Sequence, residues 1–296
     1  MSWFRGGHVL APWPGWQLGS EAPDRRGFLQ RRKRLWGALI APRTIRWLHG
    51  LRVRVYPGNE TSRCIFVTGC YEPNELYLLD KVLRPGMTFV DAGANMGVYT
   101  LFASRKVGKA GRVVAIEPSS RDFERLRDNV ELNRLANVRL LRVAVSNRRA
   151  EGELLIAAEE HSGHNTLGAF GYDSVVAQGR ERVRVERLDD IAEQQGLRRV
   201  DVIKMDVEGA ELSALEGAER ALARFRPMIV LELSDRTLVH QGCTSGHVWE
   251  FLGRSGYLVY GFSDETGLPV LAERKGHFDG ENVVAVPEEW GGRWQR

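Results

Sequence analysis

From Thr88 onward, short apolar runs alternate with amphipathic stretches, and this alternation constrains the fold more than any other feature of the chain. TFVDAGAN, 88–95, is an apolar run ending in a glycine-bearing turn, and VYTLFASRKVG after it reads as a helix. RVVAIEP, 112–118, reads as a second strand, followed by a helix from about Arg121 to Leu135 with Ser119 and Ser120 as cap candidates. Three more buried-looking strands are VRLLRVAV, 138–145, VDVIKMDV, 200–207, and MIVLEL, 228–233. Between the last two, Leu212, Leu215, Ala218 and Leu222 recur at helical steps and predict one helix face. VWEFLGRSG is a further helix, and YLVYGF and NVVAVP close the chain as strands. Such alternation means a mostly parallel sheet with helices on both faces. The last two strands lie close enough for an antiparallel pair at one edge. Residues 146–187 interrupt the pattern with strand-like pieces around HSGHNTLG, and an excursion of that length is commonly a substrate loop.

Ahead of this pattern the chain has a different character. Residues 1–26 are rich in Gly, Pro and Trp without a clear period and read as irregular. From Gly27 to Leu48 apolar residues fall at roughly helical spacing among basic ones, with a break at Pro42. RVRVYPGN, 52–59, and CIFVTG, 64–69, predict two strands joined at Pro57–Gly58, and Glu72 to Val82 a short helix stopped by Pro85–Gly86. The expected division is a basic extension of helix and β-hairpin, 1–69, ahead of an α/β domain, 70–296.

The net charge of +4 conceals an asymmetry: residues 1–54 hold eleven Lys and Arg against two acids, Glu21 and Asp24. A basic arm on a mildly acidic domain predicts an anionic partner such as a membrane surface, a phosphorylated carrier or nucleic acid. A solvated basic helix without a partner is the plain alternative. No apolar run approaches the roughly 18 residues of a membrane span, and the N-terminus lacks the apolar core of a secretory signal. Cys64, Cys70 and Cys243 are too scattered for a disulfide framework, so a reducing cytoplasm is the expectation.

The first strand of an open parallel sheet delivers its carboxyl end to the crevice where ligands bind. Here that end reads Asp91-Ala92-Gly93-Ala94-Asn95-Met96-Gly97, and the helix starting near Val98 offers free N–H groups. The next strand ends in Glu117, where a carboxylate commonly accepts two hydrogen bonds from a ribose diol. A dinucleotide site needs three glycines, and aligning its fingerprint on Gly93 puts Asn95 and Val98 at the second and third. Asp91 also suits an anionic pyrophosphate poorly. S-adenosyl-L-methionine has no phosphate and carries a sulfonium and an α-ammonium, which an acid two residues before the first glycine helps to hold. Charge therefore favours the methyl donor. A phosphate-binding loop is excluded, because Gly108-Lys109 is followed by Ala110. The predicted donor site comprises Asp91, Gly93, Ala94, Asn95, Gly97, Tyr99, Thr100, Glu117, Pro118 and Asp206, with Val143 and Ala144 near the adenine.

At this point the sequence resembles the FkbM-type methyltransferases, from about Tyr71 to Pro287. The matching pieces are YEPNE, 71–75; RPGMTFVDAGANMGVYT, 84–100; AIEPS, 115–119; NVELNRLANV, 129–138; DVIKMDVEGAE, 201–211; and PMIVLEL, 227–233. The D-x-G-A-N-x-G-x-Y-T and I-K-x-D-V-E-G-A-E blocks are specific in combination. The resemblance implies a Rossmann-like, seven-stranded class I methyltransferase fold and O-methylation of polyketide, sugar or related hydroxyls. Residues 1–60 lie outside it and inherit nothing.

Methyl transfer from a sulfonium is an in-line displacement, so positioning supplies much of the acceleration. A hydroxyl acceptor still needs its proton removed, by a base or with the help of a metal. Asp206 ends its strand, with Glu208 and Glu211 following, and Glu232 ends the next; Asp206, Glu208 and Glu232 are expected to cluster over the crevice. For Glu211 the expected role is only to favour the dipole of the helix it begins. Lys204 lies two residues before Asp206, hence on the same face, and is expected to pair with an acid or orient substrate. His161 and His164 in the excursion are alternative bases near neutral pH. No His/Cys spacing marks a metal site, though the acids offer oxygen ligands for Mg²⁺. Trp13, Trp16, Trp36 and Trp47 of the arm suit an acceptor site, a membrane interface or plain packing. An NAD-dependent oxidoreductase, a non-catalytic protein that kept the fold and a nucleic-acid methyltransferase are the alternatives. The last lacks the N/D-P-P-Y/F motif, where DVEGAE stands instead.

Overall fold

A computed structural model describes residues 25–295; the reading of residues 1–26 as irregular is corrected at Arg25 and Arg26, which open a helix, and the rest of it, with Trp13 and Trp16, lies outside the described residues. Helix α1 (Arg25–Gly37) stops well short of Leu48, and a hairpin follows, β1 (Arg43–Arg46) on β2 (Arg52–Val55). CIFVTG is a correction: it is not a strand but the end of helix α2 (Glu60–Thr68). The Asn59 side chain accepts from the Ser62 N–H at 2.8 Å, Gly69 closes the helix at φ 88°, and Ser62, Ile65 and Phe66 bury one face at helical steps. Helix α3 (Pro73–Val82) begins at a proline, which costs a first-turn position nothing because that N–H has no partner to lose.

The alternating part folds into β3 (Thr88–Ala92), α4 (Val98–Val107), β4 (Arg112–Ile116), α5 (Ser120–Leu132) and β5 (Val138–Leu141). VRLLRVAV is also divided, because its end leaves the sheet as β6 (Ala144–Val145). The excursion is built from β7 (Ala150–Ala157), a 3-10 turn at Glu159–His164 and β8 (Ala177–Glu186), and β6, β8 and β7 make a small sheet of their own. Helix α6 (Leu188–Gln194) leads to β9 (Val202–Met205). The single helix expected over Leu212–Leu222 is two, α7 (Glu211–Glu216) and α8 (Glu219–Phe225). They divide at Gly217, where a Cβ would collide with the Ser146 carbonyl oxygen. The chain ends with β10 (Met228–Ser234), α9 (Asp235–Leu238), α10 (Ser245–Arg254), β11 (Tyr257–Phe262), β12 (Pro269–Leu271) and β13 (Asp279–Pro287).

The main sheet runs β12-β11-β13-β10-β9-β3-β4-β5, eight strands where seven were expected. The additional strand is β12, three residues paired with the outer edge of β11. From β10 to β5 the pairs are parallel, whereas β13 lies antiparallel to both β10 and β11. Two apolar clusters cover the sheet, and the period of two assigns residues to them. Phe89, Val113, Val202, Val230 and Val284 face the helices that include α2, α3 and α4, while Val90, Val114, Ile203 and Ile229 face α7, α8 and α10. Register then fixes the polar face: Asp91 pairs with Lys204, Lys204 with Val230, and Glu232 with Asn282. Asp91, Lys204 and Glu232 lie on the α2–α4 side toward the carboxyl ends of the parallel strands, with Asn282 beside Glu232 on antiparallel β13.

Candidate active site

Gly93 and Gly97 adopt φ of 82° and 95°, and Asn95 between them adopts 48°. A Cβ on Gly93 would strike the Asp206 carbonyl oxygen, so the turn after β3 lies directly against the segment after β9. The Asp206 N–H donates to the Ala92 carbonyl at 2.9 Å and ties the two strand ends together. Asp91 is buried; one of its oxygens accepts from the Thr100 hydroxyl at 2.5 Å, and the other, Oδ1, has no hydrogen-bond partner. Burial pushes the Asp91 carboxyl up to about 6. Glu117, also buried, accepts the N–H groups of Asn95 and Ser119, both at 2.8 Å, one on each oxygen. Burial, with Asp122 nearby, raises it to about 8. Pro118 is half-buried behind it. Val143 is packed into the apolar cluster with Ile116, and Ala144 pairs with Val185 at the start of the small sheet.

The second set of groups stands at the ends of β9 and β10. Asp206, Glu208 and Glu232 each present a carboxylate oxygen within 4.8 Å of the others. Burial and the neighbouring acids hold the Glu208 and Glu232 carboxyls well above the usual range. Lys204 is buried with its Nζ 3.3 Å from Asp206 Oδ2 and 5.2 Å from the Tyr99 ring centroid. The surrounding acids outweigh its burial and raise its pKa, so it keeps its charge. Glu208 sits at φ 49° in the turn that follows, and Glu211 holds that turn by accepting from the Val207 and Gly209 N–H groups at 3.3 and 3.1 Å. Glu211 is thus a buttress, which explains its burial better than a helix dipole does.

The excursion crosses above both sets. The His164 Nδ1 lies 3.3 Å from Glu208 Oε1, and burial lowers the pKa of this histidine. The Thr166 hydroxyl donates to the Glu208 carbonyl at 2.7 Å, and the Asn165 amide donates to Asp122 at 2.7 Å. The Ser162 hydroxyl accepts from the Asn59 amide at 2.5 Å, and its carbonyl accepts from the Asn95 amide at 3.4 Å. His161 is stationed farther out, with its ring centroid 6.0 Å from that of His164.

Two residues at this site escaped the sequence reading as candidates. Tyr71 lies among Glu72, Asp206 and Glu232, whose charges, with burial, push its phenol well up. Glu72 accepts from the Tyr99 hydroxyl at 2.5 Å and from the Asn282 amide at 3.0 Å. Their presence in the YEPNE block was the available signal, but nothing local reveals that the segment before α3 reaches the ends of β9 and β10.

The donor set fits the methyl donor. Asp91 Oδ1 is a buried acceptor without a partner, and the Glu117 oxygens each take one N–H and keep a lone pair free. Arg121 and Arg125, the nearby cations on α5, are engaged by Asp122 and Glu159. A cationic ligand is welcome there and a pyrophosphate is not. Fold and charge together define the class: a class I methyltransferase that uses S-adenosylmethionine. A family model described as the methyltransferase FkbM domain matches residues 91–259, and the chain belongs to that family.

Among its relatives, the 31-O-demethyl-FK506 methyltransferase FkbM of Streptomyces tacrolimicus is 31% identical over 54% of this chain and 68% of its own. The 2-O-methyltransferase NoeI of Sinorhizobium fredii is 29% identical over 52% of this chain and 66% of its own. The chain thus spans about two thirds of the length of these relatives. The crystal structure of methyltransferase FkbM from Methylobacillus flagellatus is similar at 17% identity and a TM-score of 0.41, covering 76% of this chain and 54% of that one.

Proposed function

We propose that the chain methylates a hydroxyl oxygen of a small molecule, natural product or glycan. The observation that carries this reading is the convergence of Asp206, Glu208 and Glu232 within 4.8 Å, beside the turn that abuts Asp206. The names of two relatives, a 31-O-demethyl-FK506 methyltransferase and a 2-O-methyltransferase, support oxygen as the acceptor atom. When bound, S-adenosylmethionine supplies an electrophilic methyl group. Asp91 holds its ammonium and Glu117 its ribose, with Gly93, Ala94, Asn95 and Gly97 allowing the backbone to come close. Asp206, pressed against that turn, takes the acceptor proton. Glu208 and Glu232, with their raised proton affinity, orient the hydroxyl and receive the proton afterwards. Lys204 holds Asp206 in place from beneath. A second reading rests on the His164–Glu208 approach at 3.3 Å, in which a neutral His164 oriented by Glu208 is the base.

Asp206→Asn, Glu232→Gln and His164→Ala separate these roles. Loss of the base lowers turnover by about 10²–10⁴-fold with donor affinity and melting temperature nearly unchanged. If EDTA-dialysed protein recovers activity only on adding Mg²⁺, the acids act as metal ligands instead. Three folded variants with wild-type turnover, without metal, would falsify the proposed site.

A further inference from the structure

The N-terminal elements carry a surface that the crevice chemistry does not use. Between Arg25 and Asn59 the sequence holds ten Lys or Arg and no Asp or Glu. Some of these cations are committed internally. Arg32 donates to the Phe66 carbonyl at 2.5 Å with its guanidinium 5.0 Å from the Phe66 ring centroid. Arg52 donates to the Leu132 carbonyl at 2.6 Å, and Arg54 pairs with Asp128 at 2.8 Å. Arg31, Lys33, Arg34, Arg43 and Arg46 are different: all five are exposed, and none forms an ion pair with a described residue. Leu35 and Ile40 stand among them, 55% and 98% exposed. Arg31, Arg34 and Leu35 share one face of α1 by helical spacing, opposite the face on which Trp36 meets Phe66 of α2 at 5.5 Å between centroids.

Single exposed apolar residues are ordinary, and so are exposed cations. Their combination in one stretch without Asp or Glu, residues 25–59, is not, because each favours a different layer of the same partner. Cations seek lipid phosphates, and an apolar tip gains by reaching the acyl boundary just beneath. A nucleic-acid backbone would use the charge but leave Ile40 and Leu35 without a role. The position of the patch adds a reason. Helix α1 packs on α2 through the contacts of Arg32 and Trp36 with Phe66, and α2 leads within a few residues to Tyr71 and Glu72 at the crevice.

We propose that this segment seats the protein on an anionic membrane, with Leu35 and Ile40 inserted and Arg31, Arg34 and the neighbouring cations on the headgroups. The proposal is independent of which atom is methylated. Each basic side chain near such a surface strengthens binding by about five-fold, and salt weakens the attraction. The test is co-sedimentation of the full chain with phosphatidylcholine vesicles, with and without phosphatidylglycerol, at low and high salt. Wild-type protein should bind only the anionic vesicles. The Arg31→Glu/Lys33→Glu/Arg34→Glu variant should lose about 10²-fold in vesicle affinity, and Ile40→Asp should lose the part of binding that survives high salt. Both variants should keep the wild-type melting temperature and donor affinity. Absence of binding to anionic vesicles at low salt overturns the proposal, as does equal binding by the charge-reversed variant. Displacement of the vesicles by a short RNA or DNA duplex assigns the surface to nucleic acid and overturns it too.

Discussion

Burial holds Asp91 near 6 and Glu117 near 8, so the donor crevice gains negative charge as pH rises between those values. A bound cation favours the ionised carboxylates, lowers their proton affinity and expels protons. Donor affinity should therefore climb from pH 6 to 8, with proton release visible by calorimetry in buffers of different ionisation enthalpy. Glu117→Gln should flatten the upper part of that climb and weaken binding by about 1.5–3 kcal/mol. A pH-independent affinity without proton release would remove both carboxylates from the donor site. Without donor the sign reverses for stability. Both groups hold protons that the unfolded chain has already lost, so their stabilising contribution is complete below the unfolded values of 3.8 and 4.5. It is lost as pH rises through about 6 and about 8.

At the scale of elements, the segment from Ala158 to Thr166 is fastened at several points rather than left as an open loop. The Asn165 amide donates to the buried Asp122, while its oxygen accepts from the Ala157 N–H at 2.9 Å. Asn165→Ala removes both bonds and leaves Asp122 short of a donor, at a cost of about 1.5–3 kcal/mol. We expect a lower melting temperature together with a raised acceptor KM, since His164 is carried on the same segment. A change in melting temperature alone would make the fastening purely structural. The alternation from β3 to β11 was legible because buried parallel strands are short apolar runs, and the glycine turn announces itself in Gly93 and Gly97. CIFVTG was misread because its β-branched and aromatic residues favour a strand, whereas Asn59 and Gly69 cap it as a helix; tertiary burial overrode propensity. Strand β12 is too short to show a period. The face shared by Lys204 and Asp206 follows from spacing alone, but their alignment with Asp91 and Glu232 depends on strand order. The approach of His164 to Glu208 and of Tyr71 to the acid set depends on non-local packing, which no window of sequence contains.

At the scale of the whole molecule, exposed cations without ion-pair partners among the described residues include Arg31, Lys33, Arg34, Arg43 and Arg46 on α1 and β1, and carboxylates gather at the carboxyl ends of the central strands. Among the described residues no helix is long and apolar enough to cross a membrane. The segment around Ser162 joins three parts of this architecture, since it binds Asn59 ahead of α2 and Asn95 in the glycine turn while His164 reaches Glu208. On the proposed site assignment, a donor seated against Gly93 would lie beneath that bridge, and an acceptor addressed to Asp206 would arrive beside it. The kinetic consequence expected of that assignment is a compulsory sequence, with donor entering first and S-adenosylhomocysteine leaving last. In initial-rate work S-adenosylhomocysteine should then compete with the donor and inhibit noncompetitively against the acceptor, whereas a random-order pattern would show that the bridge does not govern traffic.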